Sequence, residues 1–213
     1  MSESENLRSR VSEQIREGIV SGTLAPGSRI NESRLSITYG ISRTPLREAL
    51  FTVERLGLLH SDPRRGFFVT KLSAREVREL YPLGRALDLL AVRTAGQVPA
   101  AVIEQLVATN SEFRAVSDQP EAARLADRRF HRTIVDRCPN RRLLGMLESV
   151  QSGMERYERL YMSDARDIER SAREHDEMID AFRHDRLDRV ERVLGRAWEY
   201  SVRRLLIALG DPP

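Results

Sequence analysis

The stretch Ser42–Leu50 constrains the fold of this chain more than any other part of its sequence. It predicts a helix with Ser42 as N-cap and a proline in the first turn, where proline is tolerated. Arg43 and Arg47 lie four residues apart and therefore share one face, with Thr44 beside them. Each guanidinium on such a helix can bond guanine O6 and N7 together in the DNA major groove. The opposite, core-facing side would carry the apolar residues Leu46, Ala49, Leu50 and Val53. On these residues alone, an amphipathic helix with a solvated arginine face is an equal alternative.

The segments before this stretch predict two further helices. Apolar residues at helical spacing predict a first helix over residues 5–21. Asn31 can cap a second helix that runs to about Tyr39 and is closed by Gly40. Between the two helices, Ser28–Ile30 is predicted to be a very short strand. Two short helices separated by a glycine turn have the layout of a helix-turn-helix.

The residues after this stretch predict a small β-hairpin. Leu58–Ser61 and Phe67–Thr70 are predicted strands, joined by a basic turn. Arg64 and Arg65 at the tip could reach phosphate or the minor groove, and Gly66 lets the backbone come close. Such a hairpin beside a recognition helix is a wing, although charged two-strand hairpins also occur for purely structural reasons.

Residues 73–213 carry helix signals without a strand pattern, so they predict an all-helical bundle of about six helices. Ser73–Glu76 is a capping box that starts the first of them. Asn140 can cap a fourth helix that extends towards Met162. On the first helix, the side expected to face the core carries Val77, Leu80, Leu83, Leu87, Leu90, Ala91 and Ala95. We therefore expect a mainly α fold with two domains: a winged helix-turn-helix over residues 1–72, followed by the all-α bundle.

One group of residues in the predicted bundle has the chemistry of metal ligands. Asp127 and His131 lie four residues apart and would share a helix face, and His175 supplies a second imidazole from another helix. A carboxylate with two imidazoles suits a divalent transition metal such as zinc, nickel or iron. A solvated Asp–His pair and a hydrogen-bonded histidine are the structural alternatives, and spacing alone favours them.

Composition argues for a globular chain without a membrane segment. The hydrophobic fraction is 40%, and no apolar run approaches the roughly 18 residues of a membrane span. The net charge is only +3, although the pI is about 9.4. The polar N-terminus has no signal-peptide pattern, and a single cysteine, Cys138, excludes an internal disulfide. We therefore expect a cytoplasmic protein.

Several segments between residues 7 and 70 occur together in one characteristic order: Gly22–Gly27, Glu32–Leu35, Gly40–Leu50, Leu56–Leu58 and Arg65–Val69. In this order and spacing they resemble the winged-helix domain of GntR-type bacterial repressors. The resemblance implies double-stranded DNA as a partner, contacted through the arginines of the third helix and through the wing. Where the family can carry another DNA-contacting arginine, this chain has Ser33, with Arg34 next to it. The candidate DNA-binding residues are Ser42, Arg43, Thr44, Arg47, Arg34, Arg64, Arg65 and Gly66.

The helical part resembles the FCD domain, the ligand-binding domain of the FadR branch of the same family. The matching residues are Leu87–Asp88, Asp127, Phe130–His131, Asn140, Leu143 and Glu174–His175. In many members an aspartate and three histidines hold a metal that a small organic acid coordinates. The third histidine, expected near Trp198, is absent here, and Gly84 stands where an arginine is common, with Arg85 adjacent. Loss of one imidazole would weaken metal binding, and Trp198 would fill the cavity with apolar surface. The resemblance gives Asp127, His131 and His175 as metal ligands, and Arg85, Asp127, His131, His175 and Trp198 as effector-binding candidates.

As a whole, the resemblance implies a homodimeric transcription regulator and not an enzyme. The winged helix would read one half of a near-palindromic operator, and a small organic acid in the bundle would modulate that binding. Repression is expected by analogy with the family. One alternative is an effector-independent dimer whose helical domain only dimerises, which Trp198 slightly favours. The other is a hydrolytic enzyme built on the Asp–His–His group, which no other sequence motif supports.

Overall fold

A computed structural model describes residues 3–160 and 165–212 of the 213-residue chain. The chain divides into two compact units, Met1–Leu72 and Ser73–Pro213. Within the described residues there are nine helices and one antiparallel pair of strands: α1 Glu3–Val20, α2 Glu32–Tyr39, α3 Arg43–Arg55, β1 Leu59–Asp62, β2 Gly66–Val69, α4 Ala74–Ala95, α5 Ala100–Ala115, α6 Pro120–Val135, α7 Arg141–Glu158, α8 Ala165–Arg183 and α9 Leu187–Ala208. The predicted fold class, mainly α with a small hairpin after three helices, is confirmed.

The first unit is a helix-turn-helix with a wing. α2 begins where Asn31 Oδ1 accepts a hydrogen bond from the Arg34 amide at 2.9 Å, and it ends at Gly40, whose φ of +63° favours glycine. α3 packs on α1, α2 and β1 through the apolar side that the sequence predicts. β1 and β2 pair in one register, from Leu59 opposite Val69 to Asp62 opposite Gly66. The core of the unit includes Val11, Ile15, Leu46, Leu50, Val53 and Phe67.

One local prediction in this unit needs correction, and another is confirmed without the side-chain bond that usually accompanies it. The strand predicted over Ser28–Ile30 is only an isolated bridge between Arg29 and Phe68, because the N-cap of α2 follows at once and ends the extended backbone. Ser42 does stand at the N-cap of α3, but within the part of the chain that the structure describes its side chain accepts no capping hydrogen bond. The backbone carbonyl of Ser42 accepts the first bond of the helix, from the amide of Leu46 at 3.3 Å, and residue Ser42 is exposed.

The second unit is a bundle of the six helices α4–α9. Ser73 caps α4 by accepting the amide of Glu76 at 3.2 Å, which is half of the predicted capping box. The Glu76 carboxylate does not complete the box, because it binds the Arg156 guanidinium and the Tyr157 hydroxyl. Asn140 caps α7 as predicted. The predicted extension of α7 towards Met162 lies outside the described residues.

The buried face of α4 differs from the predicted one. Leu83 and Leu90 were expected in the core, but their side chains are 55% and 50% exposed. The residues that α4 buries are Val77, Tyr81, Gly84, Asp88, Ala91 and Val92. The reason is that α4 packs against both α7 and α9. The side chain of Trp198 on α9 fills the space between these helices and requires Gly84 opposite it on α4.

No helix among the described residues is both long enough and apolar enough to span a membrane.

Candidate DNA-binding surface and candidate metal centre

α3 presents its arginines on the exposed face of the first unit. Arg43, Thr44 and Arg47 are exposed, and the buried apolar residues of the same helix fix that orientation. Beside them lies a concave surface of about 600 Å³ lined by Arg29, Ile30, Asn31, Glu32, Ser33, Arg43 and Arg47. Three of these side chains are guanidiniums, which makes the surface suited to the phosphates and base edges of duplex DNA.

This surface includes two charged residues that sequence reasoning missed. Arg29 reaches it because its segment pairs with β2, and Glu32 because it is the first residue of α2. Arg34, proposed from the sequence, is exposed but lies outside the lining, whereas its neighbour Ser33 is part of it. Arg29 directly precedes the buried Ile30, and three residues are too few for a pattern that would have predicted its exposure.

The wing turn holds its two arginines in a defined geometry. Asp62 Oδ1 accepts the amides of Arg64 and Arg65 at 2.9 and 3.2 Å. Gly66 follows with a φ of +87°, a left-handed conformation that favours glycine. The Arg65 guanidinium lies 5.1 Å from the centre of the Phe68 ring. Arg64 and Arg65 are both exposed, so the turn presents two positive charges to solvent.

In the second unit, Asp127, His131 and His175 bring one ligand atom each to a common point. Asp127 and His131 come from α6 and His175 from α8. His175 Nε2 lies 3.3 Å from Asp127 Oδ1 and 3.4 Å from His131 Nε2, and His131 Nε2 lies 3.9 Å from Asp127 Oδ2. Metal–ligand bonds of about 2.0–2.2 Å place the corners of a tetrahedron roughly 3.3–3.6 Å apart. The spacing of these three groups therefore fits a divalent transition metal.

A second layer of contacts orients the ligands. Asn110 Nδ2 donates to Ala172 O at 3.0 Å and to Asp176 Oδ1 at 2.8 Å, which fixes its amide so that Oδ1 faces His175 Nδ1 at 2.9 Å. This arrangement favours a proton on Nδ1 and leaves the Nε2 lone pair for a metal. The Ser171 hydroxyl donates to Asp127 Oδ1 at 2.9 Å, so the carboxylate is also held. Buried Asn110 is the supporting residue that the sequence did not reveal, because one amide in an otherwise ordinary helix carries no pattern.

The electrostatics suit metal ligation as well. Burial opposes ionisation of Asp127, but its interactions with His175, His131 and Ser171 outweigh burial and lower the pKa of the carboxyl to about 2. Burial lowers the pKa of His175, although Asp127 acts in the opposite direction. At neutral pH the pair is therefore a carboxylate beside a neutral imidazole, which are the forms that bind metal.

The position expected for a third histidine belongs to Trp198, whose contacts are of another kind. Its indole Nε1 donates to Asp88 Oδ2 at 3.1 Å, and its ring meets Tyr81 edge-on at 5.7 Å between centroids. Asp88 is buried, and desolvation raises its pKa although His131 and the indole bond act against that rise. Arg85, the other effector-binding candidate, pairs with the exposed Glu199 at 3.1 Å. The structure thus groups the three metal candidates, while Arg85 and Trp198 are engaged with partners of their own.

Gly84 and Gly145 make a matched pair for testing the packing of Trp198. A Cβ on Gly84 would lie 2.8 Å from Trp198 Cη2 and 3.0 Å from Met154 Sδ, whereas nothing lies within 4 Å of one on Gly145. We expect Gly84→Ala to lower the free energy of unfolding by roughly 1–2 kcal/mol, because overpacking exceeds the gain in helix propensity. Gly145→Ala should raise it by about 0.5–1 kcal/mol. Urea unfolding followed by circular dichroism measures both; equal effects of the two substitutions would contradict the packing.

Comparison with known proteins places both units in known families. Residues 79–199 match the FCD domain, and residues 7–69 match the family described as bacterial regulatory proteins, gntR family. The HTH-type transcriptional regulator YdhC of Bacillus subtilis is 38% identical over 142 residues, and the Nta operon transcriptional regulator of Aminobacter aminovorans is 34% identical over 138. These alignments cover 64% and 62% of this chain and 63% of each relative, so the chain spans less than two thirds of those relatives' length.

Two further similarities extend over most of the chain. The HTH-type transcriptional repressor RspR of Escherichia coli K12 is 24% identical over 183 residues, which cover 84% of this chain and 80% of that protein. The solved structure of E. coli McbR/YncC superposes with a TM-score of 0.81 at 20% identity, over 97% of this chain and 99% of that one. At this level of identity the structural similarity shows a shared fold.

Proposed function

We propose that this chain, which belongs to the gntR family of bacterial transcriptional regulators and carries an FCD domain, is a repressor whose operator binding is modulated by a small-molecule effector. The observation that carries the proposal is the exposed Arg43–Arg47 pair beside a concave, arginine-lined surface. The E. coli relative RspR is named a transcriptional repressor, which supports repression over activation. The family and these relatives are regulators, so the chain is not an enzyme.

We assign DNA binding to residues 1–72. In this proposal α3 enters the major groove, where Arg43 and Arg47 read base edges and Thr44 assists. Arg64 and Arg65 contact phosphate or the minor groove from the wing, and the backbone at Gly66 comes close. A regulator that acts on the chromosome in this way works in the cytoplasm.

We assign effector binding to residues 73–213. The spacing, orientation and ionisation of Asp127, His131 and His175 support a divalent metal there. Three protein ligands leave a coordination position open, and a carboxylate oxygen of a small organic acid is a suitable occupant. When bound, the metal would supply a localised positive charge for that carboxylate.

The second candidate is an effector-independent DNA-binding dimer. The Trp198 indole donates a hydrogen bond to Asp88, and its ring fills the space over Gly84. Both contacts favour this alternative. Thermal unfolding with a panel of carboxylates, with and without zinc, separates the two, because a ligand that binds the folded state raises the melting temperature. A sensor responds to zinc together with at least one carboxylate; the alternative responds to none.

We propose a homodimer built through the second unit, supported by the exposed face of α4. Leu83 and Leu90 lie two turns apart on one side of α4 and are 55% and 50% exposed, so together they form an apolar patch that a second copy of the chain would cover. In a two-fold interface each residue is buried twice, so Leu83→Glu or Leu90→Glu should weaken the dimer roughly 100-fold or more. Leu125→Glu, at an exposed leucine of α6, is the matched control. Analytical ultracentrifugation measures the outcome; a dimer that survives both α4 substitutions would contradict this interface.

Selection from random duplex DNA tests the function directly. A two-fold dimer of winged helices should enrich near-palindromic sites with half-sites about one helical turn apart, or a multiple of that spacing. Failure to enrich any sequence at moderate salt would refute DNA-specific regulation by this chain.

A further inference from the structure

We propose that Glu32 is a positioning residue for Arg47 and thereby sets the sequence specificity of the DNA-binding surface. The inference rests on the proposed DNA-binding function of residues 1–72 and adds to it a residue that touches no base. An acidic side chain beside a DNA-binding surface weakens affinity for phosphate. Glu32 stabilises the first turn of α2, and its contact with Arg47 gives it a second role that the ratio of affinities can test.

The first step is where the carboxylate lies. Glu32 is the first residue of α2, directly after the cap residue Asn31, so its backbone position is fixed. Its Oε2 lies 3.9 Å from Arg47 Nε on α3. On the other side, a Cβ built on Gly66 would lie 3.5 Å from Glu32 Oε1. The carboxylate therefore occupies the gap between the third helix and the wing turn, and it is only 24% exposed.

The second step is what this does to Arg47. The guanidinium faces Glu32 on one side and lies 5.8 Å from the centre of the Phe67 ring. Phe67 is fully buried in the core of the unit, so the ring is a rigid support. The contact to Glu32 is made through Nε, the nitrogen next to the side-chain stem. The two terminal nitrogens, which form the fork for guanine O6 and N7, are then left for a base.

The third step is the charge of the surroundings. Among the described residues that line the concave surface, Glu32 is the one acid, beside Arg29, Arg43 and Arg47. A charge that only repelled phosphate would weaken binding to every duplex by the same factor, because phosphate contacts carry no sequence information. A charge that orients Arg47 acts on operator DNA alone. The ratio of operator affinity to affinity for unrelated DNA therefore separates the two roles.

The test compares Glu32→Gln with Glu48→Gln. The distance of 3.9 Å is longer than a hydrogen bond, so the attraction to Arg47 is mainly between charges, and glutamine removes it while keeping the volume. Glu48 is an exposed acid of α3 that pairs with Arg8 at 3.8 Å and lies outside the surface lining, so its substitution is the matched change of charge. Fluorescence anisotropy with a selected operator duplex and a shuffled duplex of equal length gives the affinity ratio.

We expect Glu32→Gln to lower the ratio of operator affinity to shuffled-duplex affinity by roughly 3- to 10-fold, because the base contact of Arg47 is weakened but not removed. Glu48→Gln should leave the ratio unchanged. In an Arg47→Ala background, Glu32→Gln should no longer change the ratio. The proposal is overturned if Glu32→Gln alters both affinities equally, if the control lowers the ratio as much, or if the effect persists without Arg47. A wild-type protein without any operator preference would overturn the DNA-binding function itself, which is a separate and recognisable result.

Discussion

Alanine at position 43 or 47 is expected to weaken operator binding by roughly 5- to 150-fold each, since a bidentate arginine–guanine contact discriminates by about 1–3 kcal/mol. The two side chains project from adjacent turns of α3, and the buried apolar residues of that helix keep them on the exposed side. Because each contacts a different base in this proposal, the double variant should lose operator preference almost completely. Its residual binding should equal that to unrelated DNA.

The same helix offers a control of equal charge. Arg55 is exposed at the last turn of α3, and its guanidinium donates to Thr52 Oγ1 at 3.1 Å. Arg55→Ala removes one positive charge from the same helix but from the end away from the concave surface. It should change operator affinity by no more than the general electrostatic effect. The slope of log affinity against log salt concentration should change by about one unit at most. Anisotropy titrations across a salt series measure these differences. Full operator affinity in either Arg43→Ala or Arg47→Ala would refute the assignment of α3 as the reading helix.

The variants must fold as the wild type does for this result to be meaningful. Arg43 makes no contribution to the buried core, and the ion pair of Arg47 with Glu32 is exposed enough to add little stability. We therefore expect melting curves of these variants to match the wild type within about 0.5 kcal/mol, as for ordinary surface substitutions.

Local signals explain why the first unit could be predicted almost entirely from the sequence. Asn31, Gly40 and the apolar spacing of α3 each act within a few residues, and a cap or a left-handed glycine is readable wherever it occurs. The role of Glu32 was not readable, because it depends on α3 and the wing coming together from 15 and 34 residues further along the chain.

The second unit shows where such signals stop. The spacing of α4 permits more than one apolar face, and the face chosen depends on Trp198, which comes from more than one hundred residues later and needs Gly84 opposite it. Leu83 is left exposed as a consequence. The sequence could pair Asp127 with His131 and offer His175 as a second imidazole, but tertiary packing sets the distances between the three groups and places Asn110 behind His175.

Zinc is expected to stabilise the protein, and this stabilisation should disappear when His131 is replaced by alanine. At a free zinc concentration 100 times its dissociation constant, binding adds about 2.7 kcal/mol to the folded state, which corresponds to a rise in melting temperature of roughly 5–10 °C for a chain of this size. His131 is the better choice for substitution, since it is half-buried, whereas His175 is packed at 3.7 Å against the Phe130 ring and its removal would leave a cavity.

His184→Ala is the matched control, because it removes an exposed imidazole just beyond the end of α8. The Nδ1 of this ring is hydrogen-bonded to the backbone carbonyl of Asp180. Differential scanning fluorimetry after treatment with a chelator, with zinc then added back, measures the shift, and elemental analysis of the purified protein gives the metal content. The wild type and His184→Ala should gain stability together, while His131→Ala keeps its metal-free melting temperature and gains nothing. If all three responded alike, zinc would be binding elsewhere on the surface. The converging side chains would then be a hydrogen-bonded Asp–His–His group within the bundle, and the effector-independent dimer would become the better description.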